Sequence, residues 1–201
     1  MDYFSADPHF GHTNIIRYCK RPFSSTEEMD EHMIASFNRK VKHSDRLFIL
    51  GDFAWGHLAP NYLRRLNCQN IWLITGNHDK RPSTRMGFAK VLPYHEEKFQ
   101  LPGEKRAKLV CLFHYPILEW NGSHRGSWHL YGHVHGSRSG AHGMEPDKYR
   151  MDIGVDKHNF EPKSLLEIHD LFKKVNWRDP LAGRERWKPK GMTEEEVEQK
   201  L

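Results

Sequence analysis

A chain of 201 residues is long enough for one sizeable core and short for two, and 37% apolar with 28% charged residues is the composition of a globular protein, not a disordered one. The net charge of +5 is scattered along the chain, so it permits acidic substrates without demanding nucleic acid. No apolar stretch approaches the roughly 20 residues that cross a bilayer, the first residues hold no basic-then-apolar leader, and Cys19, Cys68 and Cys111 form no CxxC pair; these features argue against a membrane span, export and a disulfide framework, and a cytoplasmic protein is expected.

Five short apolar runs end abruptly in Gly, Asp, Asn or His, the pattern of buried strands that empty into functional loops. The first, 3–6, stops at Asp7. Ser24 or Ser25 with Glu27 and Glu28 then marks a helix start, and Met29, Met33, Ile34 and Phe37 follow at helical spacing, which predicts an amphipathic helix over 26–41. The second run, 47–50, meets Gly51 and Asp52, and a shorter helix is predicted over 60–66, with Pro60 in its first turn. The third run, 71–75, opens into Gly76, Asn77, His78 and Asp79. Alternating segments at 95–101 and 148–153 predict added antiparallel strands and hence a mixed sheet. The fourth run, 109–113, stops at His114, and the fifth, 128–131, at Gly132 and His133. A late helix is predicted over 162–172, and 176–201 reads as a polar C-terminal extension on a catalytic domain of 1–175, with a capping box at Thr193 and Glu196.

Asp7 and His9 are two apart at a strand end, so in an extended chain both side chains leave one face and can grip one ion. His133 and His135 repeat that spacing between glycines that let backbone approach a ligand closely. Asp52, Asn77 and His114 each stand at another strand mouth. Singly, each has an ordinary reading as a helix cap, a turn residue or a loop histidine. Five mouths all loaded with oxygen or imidazole are hard to explain as turns, and ligands of open α/β sheets bind outside the carboxyl ends of the strands. Carboxylate, amide oxygen and imidazole without thiolate suit manganese, iron, zinc or nickel better than magnesium alone. A carboxylate such as Asp52 can bridge two such ions at roughly 3.5–4 Å, the separation that clamps both oxygens of an in-line phosphoryl displacement.

Asp7-x-His9, Gly51-Asp52, Gly76-Asn77-His78-Asp79, His114 and Gly132-His133-x-His135 resemble, in order, the motifs of the calcineurin-like metallophosphoesterase superfamily over about residues 5–136. The surrounding wording, with Gly11-His12, Tyr115-Pro116 and Gly154-Val155-Asp156, resembles its small stand-alone bacterial and phage members. The resemblance implies an α/β fold, a four-layer αββα sandwich of two mixed sheets. It implies one metal on Asp7, His9 and His135, a second on Asn77, His114 and His133, and Asp52 bridging. It also implies that His78 is the general acid, that Asp79 holds its ring, and that the cofactors are two divalent ions, manganese first, with iron, zinc or nickel as alternatives. The implied reaction is hydrolysis of phosphodiesters or small phosphomonoesters by a hydroxide bridging the metals, diesters favoured.

His12, three residues beyond His9, and Arg17 are the candidates for contacting the substrate phosphate, with His124 and Arg138 behind them. Trp55, Trp120 and Trp128 lie near motif loops where they could stack a nucleobase, so a nucleotide is a candidate partner, although packing is the ordinary role of any one of them. His32, His43, His95 and His169 read as surface histidines. Two other functions compete. A nuclease would need a basic groove that the scattered charges do not announce, and a non-catalytic scaffold would have no use for His78 and a full ligand set.

Overall fold

The computed structural model describes residues 1–136 and 149–174. Among them nine strands form two sheets. In the first, β1 (Asp2–Ser5), β2 (Arg46–Ile49), β3 (Asn70–Ile74) and β4 (Lys90–Leu92) run parallel, with β9 (Lys163–Ser164) antiparallel at the edge beside β1. In the second, β5 (His95–Phe99) is antiparallel to β6 (Lys108–Leu112), which runs parallel to β7 (Trp128–Tyr131) and, through it, to β8 (Arg150–Asp152).

The strands of the first sheet read as continuous apolar runs because both faces are covered. With the period of two of an extended chain, Phe4, Phe48, Leu50 and Ile74 face the second sheet, where they meet Phe99, Val110, Leu112 and Leu130. Leu47, Ile49, Ile71 and Leu73 face the other way, onto α2 (Thr26–Lys40), α1 (Thr13–Tyr18) and α3 (Ala59–Leu63). Each fully buried side chain of this size contributes roughly 1.5–3 kcal/mol. α2 starts where expected: Ser25 Oγ accepts from the Glu28 N–H at 3.1 Å, and Met29, Met33, Ile34 and Phe37 all enter the core. α4 (Leu165–Lys174) seats Ile168 and Phe172 against the inter-sheet core, Phe172 stacking on Trp128 at 4.5 Å. The outer face of the second sheet, His129 in particular, is covered by the segment after β6, where Trp120 lies 5.3 Å from the His129 ring.

Several elements differ from expectation. β8 pairs parallel with β7, not antiparallel, because a crossover and not a hairpin joins them; alternation along a strand carries no information about direction. The late helix begins at Leu165, since Lys163 and Ser164 are drawn into the sheet edge, and its capping box is Ser164 with Glu167. α3 ends at Leu63. α1 went unread because it has six residues and no side-chain cap. Trp128 is core, and His169 is buried 5.9 Å from it, not a surface histidine. Residues 176–201, with Thr193 and Glu196, and Arg138 lie outside the described residues.

The two sheets join at their carboxyl ends. A parallel bridge links Ala6 to Gly154, and the Val155 N–H donates to Ala6 O at 3.0 Å, so the loops that leave β1, β2, β3, β6, β7 and β8 open on one side.

Candidate metal centre

The loops after β1 and β2 travel side by side beyond their strands. Asp7 N–H donates to Gly51 O (3.1 Å), His9 N–H to Asp52 O (3.0 Å) and Phe10 N–H to Phe53 O (3.0 Å). This pairing delivers Asp7, His9 and Asp52 together, at the cost of unusual backbone. Asp7, His9, Asp52, His133 and His135 all have φ between +49° and +72°, five of the nine non-glycine residues with positive φ among the described residues. Such residues cost on the order of 1–3 kcal/mol each and collect at functional sites where packing over-determines them. Two glycines are required by close approach: a Cβ on Gly51 would lie 2.2 Å from His114 Nδ1, and one on Gly132 would lie 2.5 Å from Asp7 Oδ2.

Two groups of ligand atoms result. Asp7, His9 and His135 converge within 4.8 Å of one another, and so do Asp52, His114 and His133. Asn77 joins the second group, its Oδ1 lying 3.0 Å from His114 Nε2. Asp52 faces both: its Oδ2 is 3.5 Å from His9 Nε2 and 3.6 Å from His114 Nε2, while its Oδ1 accepts the His78 N–H at 2.8 Å. All seven expected ligands are therefore in one place. Asp7 Oδ1 and His9 Nε2 are buried with no hydrogen-bond partner. An acceptor oxygen and an imidazole nitrogen left unsatisfied inside a packed site are what a cation satisfies, and the donor set suits borderline divalent metals.

The histidines are aimed by contacts to their other nitrogen. His114 Nδ1 lies 2.8 Å from Leu50 O, which can only accept, so that nitrogen carries the proton and Nε2 is bare. His135 Nδ1 lies 2.8 Å from Asp156 Oδ2, the carboxylate–histidine arrangement that orients metal ligands. Asp156 is in turn gripped by Arg21 through Nε (2.8 Å) and Nη2 (2.9 Å), and the same guanidinium donates to the carbonyls of Asp7 (2.8 Å) and Pro8 (2.9 Å). Asp152 accepts from the N–H groups of Gly136 and Gly154, and Asp30 from that of Gly11. Cys19 also approaches His135 and Asp156. Of these, sequence reading singled out Asp156 only as part of a motif, and missed Arg21, Asp152, Asp30 and Cys19.

Burial drives the titration of the bare site. Asp7 is held well above the usual carboxylate range by full burial, with Asp152 and Asp52 adding to it and His135 opposing. His9 is pushed far below the usual imidazole range by burial and by the neighbouring His135, Arg21 and His78. Burial also works against protonation of His135, but the Asp156 hydrogen bond and the Asp7 charge outweigh it and raise this imidazole to about 10.

His78 stands beside the ligands, its ring 5.2 Å from that of His9. Asp79 was expected to orient that ring, but its carboxylate accepts from the backbone N–H groups of Asp52 (2.8 Å), Gly76 (2.8 Å) and Phe53 (3.0 Å), which makes it a tie between two motif loops. His12 is buried with its ring 3.9 Å from Trp55, 5.6 Å from His9 and 6.3 Å from His78. Arg17 is exposed at the end of α1 over the Tyr18 ring, and it is Arg21, four residues on, that touches the centre. His124 is exposed on a 3-10 turn.

The family model for calcineurin-like phosphoesterases matches residues 3–197. The chain belongs to that family. As a calcineurin-like phosphoesterase it is a metal-dependent phosphoester hydrolase, and the grouped carboxylates and imidazoles are its candidate metal ligands. It is similar to an uncharacterized protein of Methanocaldococcus jannaschii, 31% identical over 177 residues, which span 86% of this chain and 91% of the relative. A crystal structure of a protein of unknown function from Aquifex aeolicus superposes with a TM-score of 0.65 at 26% identity, over 85% of this chain and 98% of that one. No helix among the described residues is long and apolar enough to cross a membrane.

Proposed function

We propose that this phosphoesterase uses two divalent cations, manganese first among the candidates, to hydrolyse phosphodiesters by preference and small phosphomonoesters as well, in the cytoplasm. One observation carries the dinuclear reading: Asp52 Oδ2 lies 3.5 Å from a nitrogen of one ligand group and 3.6 Å from a nitrogen of the other. Asp7, His9 and His135 would hold one ion, Asn77, His114 and His133 the second, and Asp52 both. Bound there, the ions supply a water of lowered pKa and neutralise the phosphate oxygens that it approaches.

The chain's own residues do the rest. Asp156 and Leu50 O engage Nδ1 of His135 and His114, which leaves Nε2 of each ring directed at the centre. His78 protonates the departing ester oxygen from its ring. This step is worth about 10²- to 10⁴-fold and matters most for a poor leaving group. Asp79 acts as a positioning residue, because its backbone ties keep Asp52 and the loop that carries His78 in register. His12, in ring contact with His9 and close to His78, borders the phosphate position and is the candidate for contacting it, whereas Arg17 is exposed at the end of α1.

The test is to strip the protein of metal, restore Mn²⁺, Ni²⁺, Zn²⁺ or Mg²⁺ singly, and assay bis-p-nitrophenyl phosphate against p-nitrophenyl phosphate, with Asp52→Asn as control. Metal-dependent turnover, faster on the diester and lost in the control, is the expected result; no turnover with two ions bound would overturn the reading. His78→Ala is expected to keep both metals and lose about 10²- to 10⁴-fold in kcat on alkyl esters, and less on p-nitrophenyl esters. Equal loss on both would remove the acid role.

A further inference from the structure

Two of the large aromatic side chains left exposed border a single buried histidine, and an exposed leucine packs beside Gly11, the residue before it. Trp55 is 45% exposed and its ring lies 3.9 Å from that of His12; Tyr18 is 62% exposed at 6.4 Å from the same ring. Leu58, 36% exposed, follows on the loop after Trp55, packed where a Cβ on Gly11 would collide with it. Large exposed aromatics gathered at one place are unusual in a protein with no partner for them. Their position is built: Phe10 and Ala54 form a parallel bridge, and the Trp55 N–H donates to Phe10 O at 2.8 Å, so the indole is held at the end of an extended ladder instead of on a free loop.

This aromatic edge is continuous with the metal centre on one particular side. The Trp55 ring lies 5.9 Å from that of His78, whose neighbour on the inner side is His9 at 5.2 Å. The order from inside outward is therefore ligand, proton donor, indole. A group bonded to the oxygen that His78 protonates lies on the His78 side of the centre, the side that Trp55 borders. Only a planar, partly polar group gains from an indole face there while the rest of it stays in water.

We propose that Trp55, with Tyr18, forms a stacking platform for a nucleobase on the leaving-group side, so that the substrate is a nucleotide ester whose departing group carries the base. This rests on the phosphoesterase reading, with His78 as the acid, and it deepens that reading by naming the substrate class and the residue that selects it. Trp55 contacts neither the phosphate nor the metals; it discriminates by what it stacks. Stacking of one base on an aromatic side chain makes binding about 5- to 100-fold tighter.

The experiment is an equilibrium titration of the manganese-loaded full chain with the 5′-methylenephosphonate analogues of adenosine and of ribose, in which a P–C bond replaces the scissile bond. Tryptophan fluorescence and calorimetry follow binding, and inorganic phosphate is a third probe. The adenosine analogue is expected to bind about 5- to 100-fold tighter than the ribose analogue. Trp55→Ala is expected to shrink that ratio to below about twofold while leaving the affinity for the ribose analogue and for phosphate unchanged, and Tyr18→Ala to shrink it in part. Equal binding of the two analogues, or an equal loss of both in Trp55→Ala, would overturn the platform while the phosphoesterase reading stood. If neither analogue nor phosphate binds and bis-p-nitrophenyl phosphate is not turned over, the reading and the platform fall together.

Discussion

The candidate ligand group of Asp7, His9 and His135 sits deep, with Asp7 and His9 almost wholly buried and His135 tied through Asp156 to Arg21. The group of Asn77, His114 and His133 opens outward: His114 is buried and pinned to Leu50 O, but Asn77 and His133 are exposed. The lesson is about pre-organisation. The deep half is held by charge-assisted hydrogen bonds that connect residues from four different loops, so its geometry exists before any ion arrives. The open half has one fixed ligand and two at the surface, so its geometry is completed by what binds, and it is the half that solvent and substrate can reach.

The largest test of this contrast is Arg21→Met. Removing one partner of a buried charge pair costs about 3–5 kcal/mol, and here Asp156 and the carbonyls of Asp7 and Pro8 lose their donor together. Chemical denaturation should show a loss of that size, with the deep ligands disturbed more than the open ones; a variant of wild-type stability would mean that the deep half is not braced as described. Next comes Asp156→Asn, which keeps the shape and weakens the hold on His135. Replacing such an outer partner typically lowers metal affinity about 10- to 100-fold. Metal titration should show that loss at the deep one of the two proposed sites, whereas His133→Ala should empty the open one and leave the deep one loaded. Equal weakening of both sites by either variant would erase the distinction.

The smallest effect is in the pH dependence of the metal-free protein. His135 is raised from its ordinary 6.5 to about 10. The stability that this contributes is complete below pH 6.5 and is lost as the pH rises through 10, and Asp7, also raised, acts in the same direction. Melting of the metal-free protein should therefore fall as the pH rises across that window. With manganese bound the slope should flatten, because loading releases those protons. A flat metal-free profile would show that the Asp156 contact does not hold the proton.

The residues of the candidate centre were legible one by one because each sits where a run of apolar residues stops, and that boundary is local. The contacts of Asp79 were not legible, since its neighbour in sequence, His78, was the obvious partner and its carboxylate accepts from N–H groups of two loops. Arg21 and Asp156 were hidden for a plainer reason: they are 135 residues apart, and nothing in the local pattern of either marks a pair. Trp55 and Trp128 looked alike in sequence and ended one at the lip of the site and the other in the core.

By itself the sequence determined which residues carry oxygen and imidazole, which strands deliver them and which family the motifs resemble, because strand length, turn chemistry and ligand type are properties of a few neighbouring residues. Only the tertiary structure decided that Asp52 Oδ2 faces both ligand groups, that Arg21 braces the deep half and that Trp55 lies outward of His78. The first two relations depend on how two separate sheets close on each other and the third on how loops of neighbouring strands meet, and such contacts leave no period or spacing in the chain.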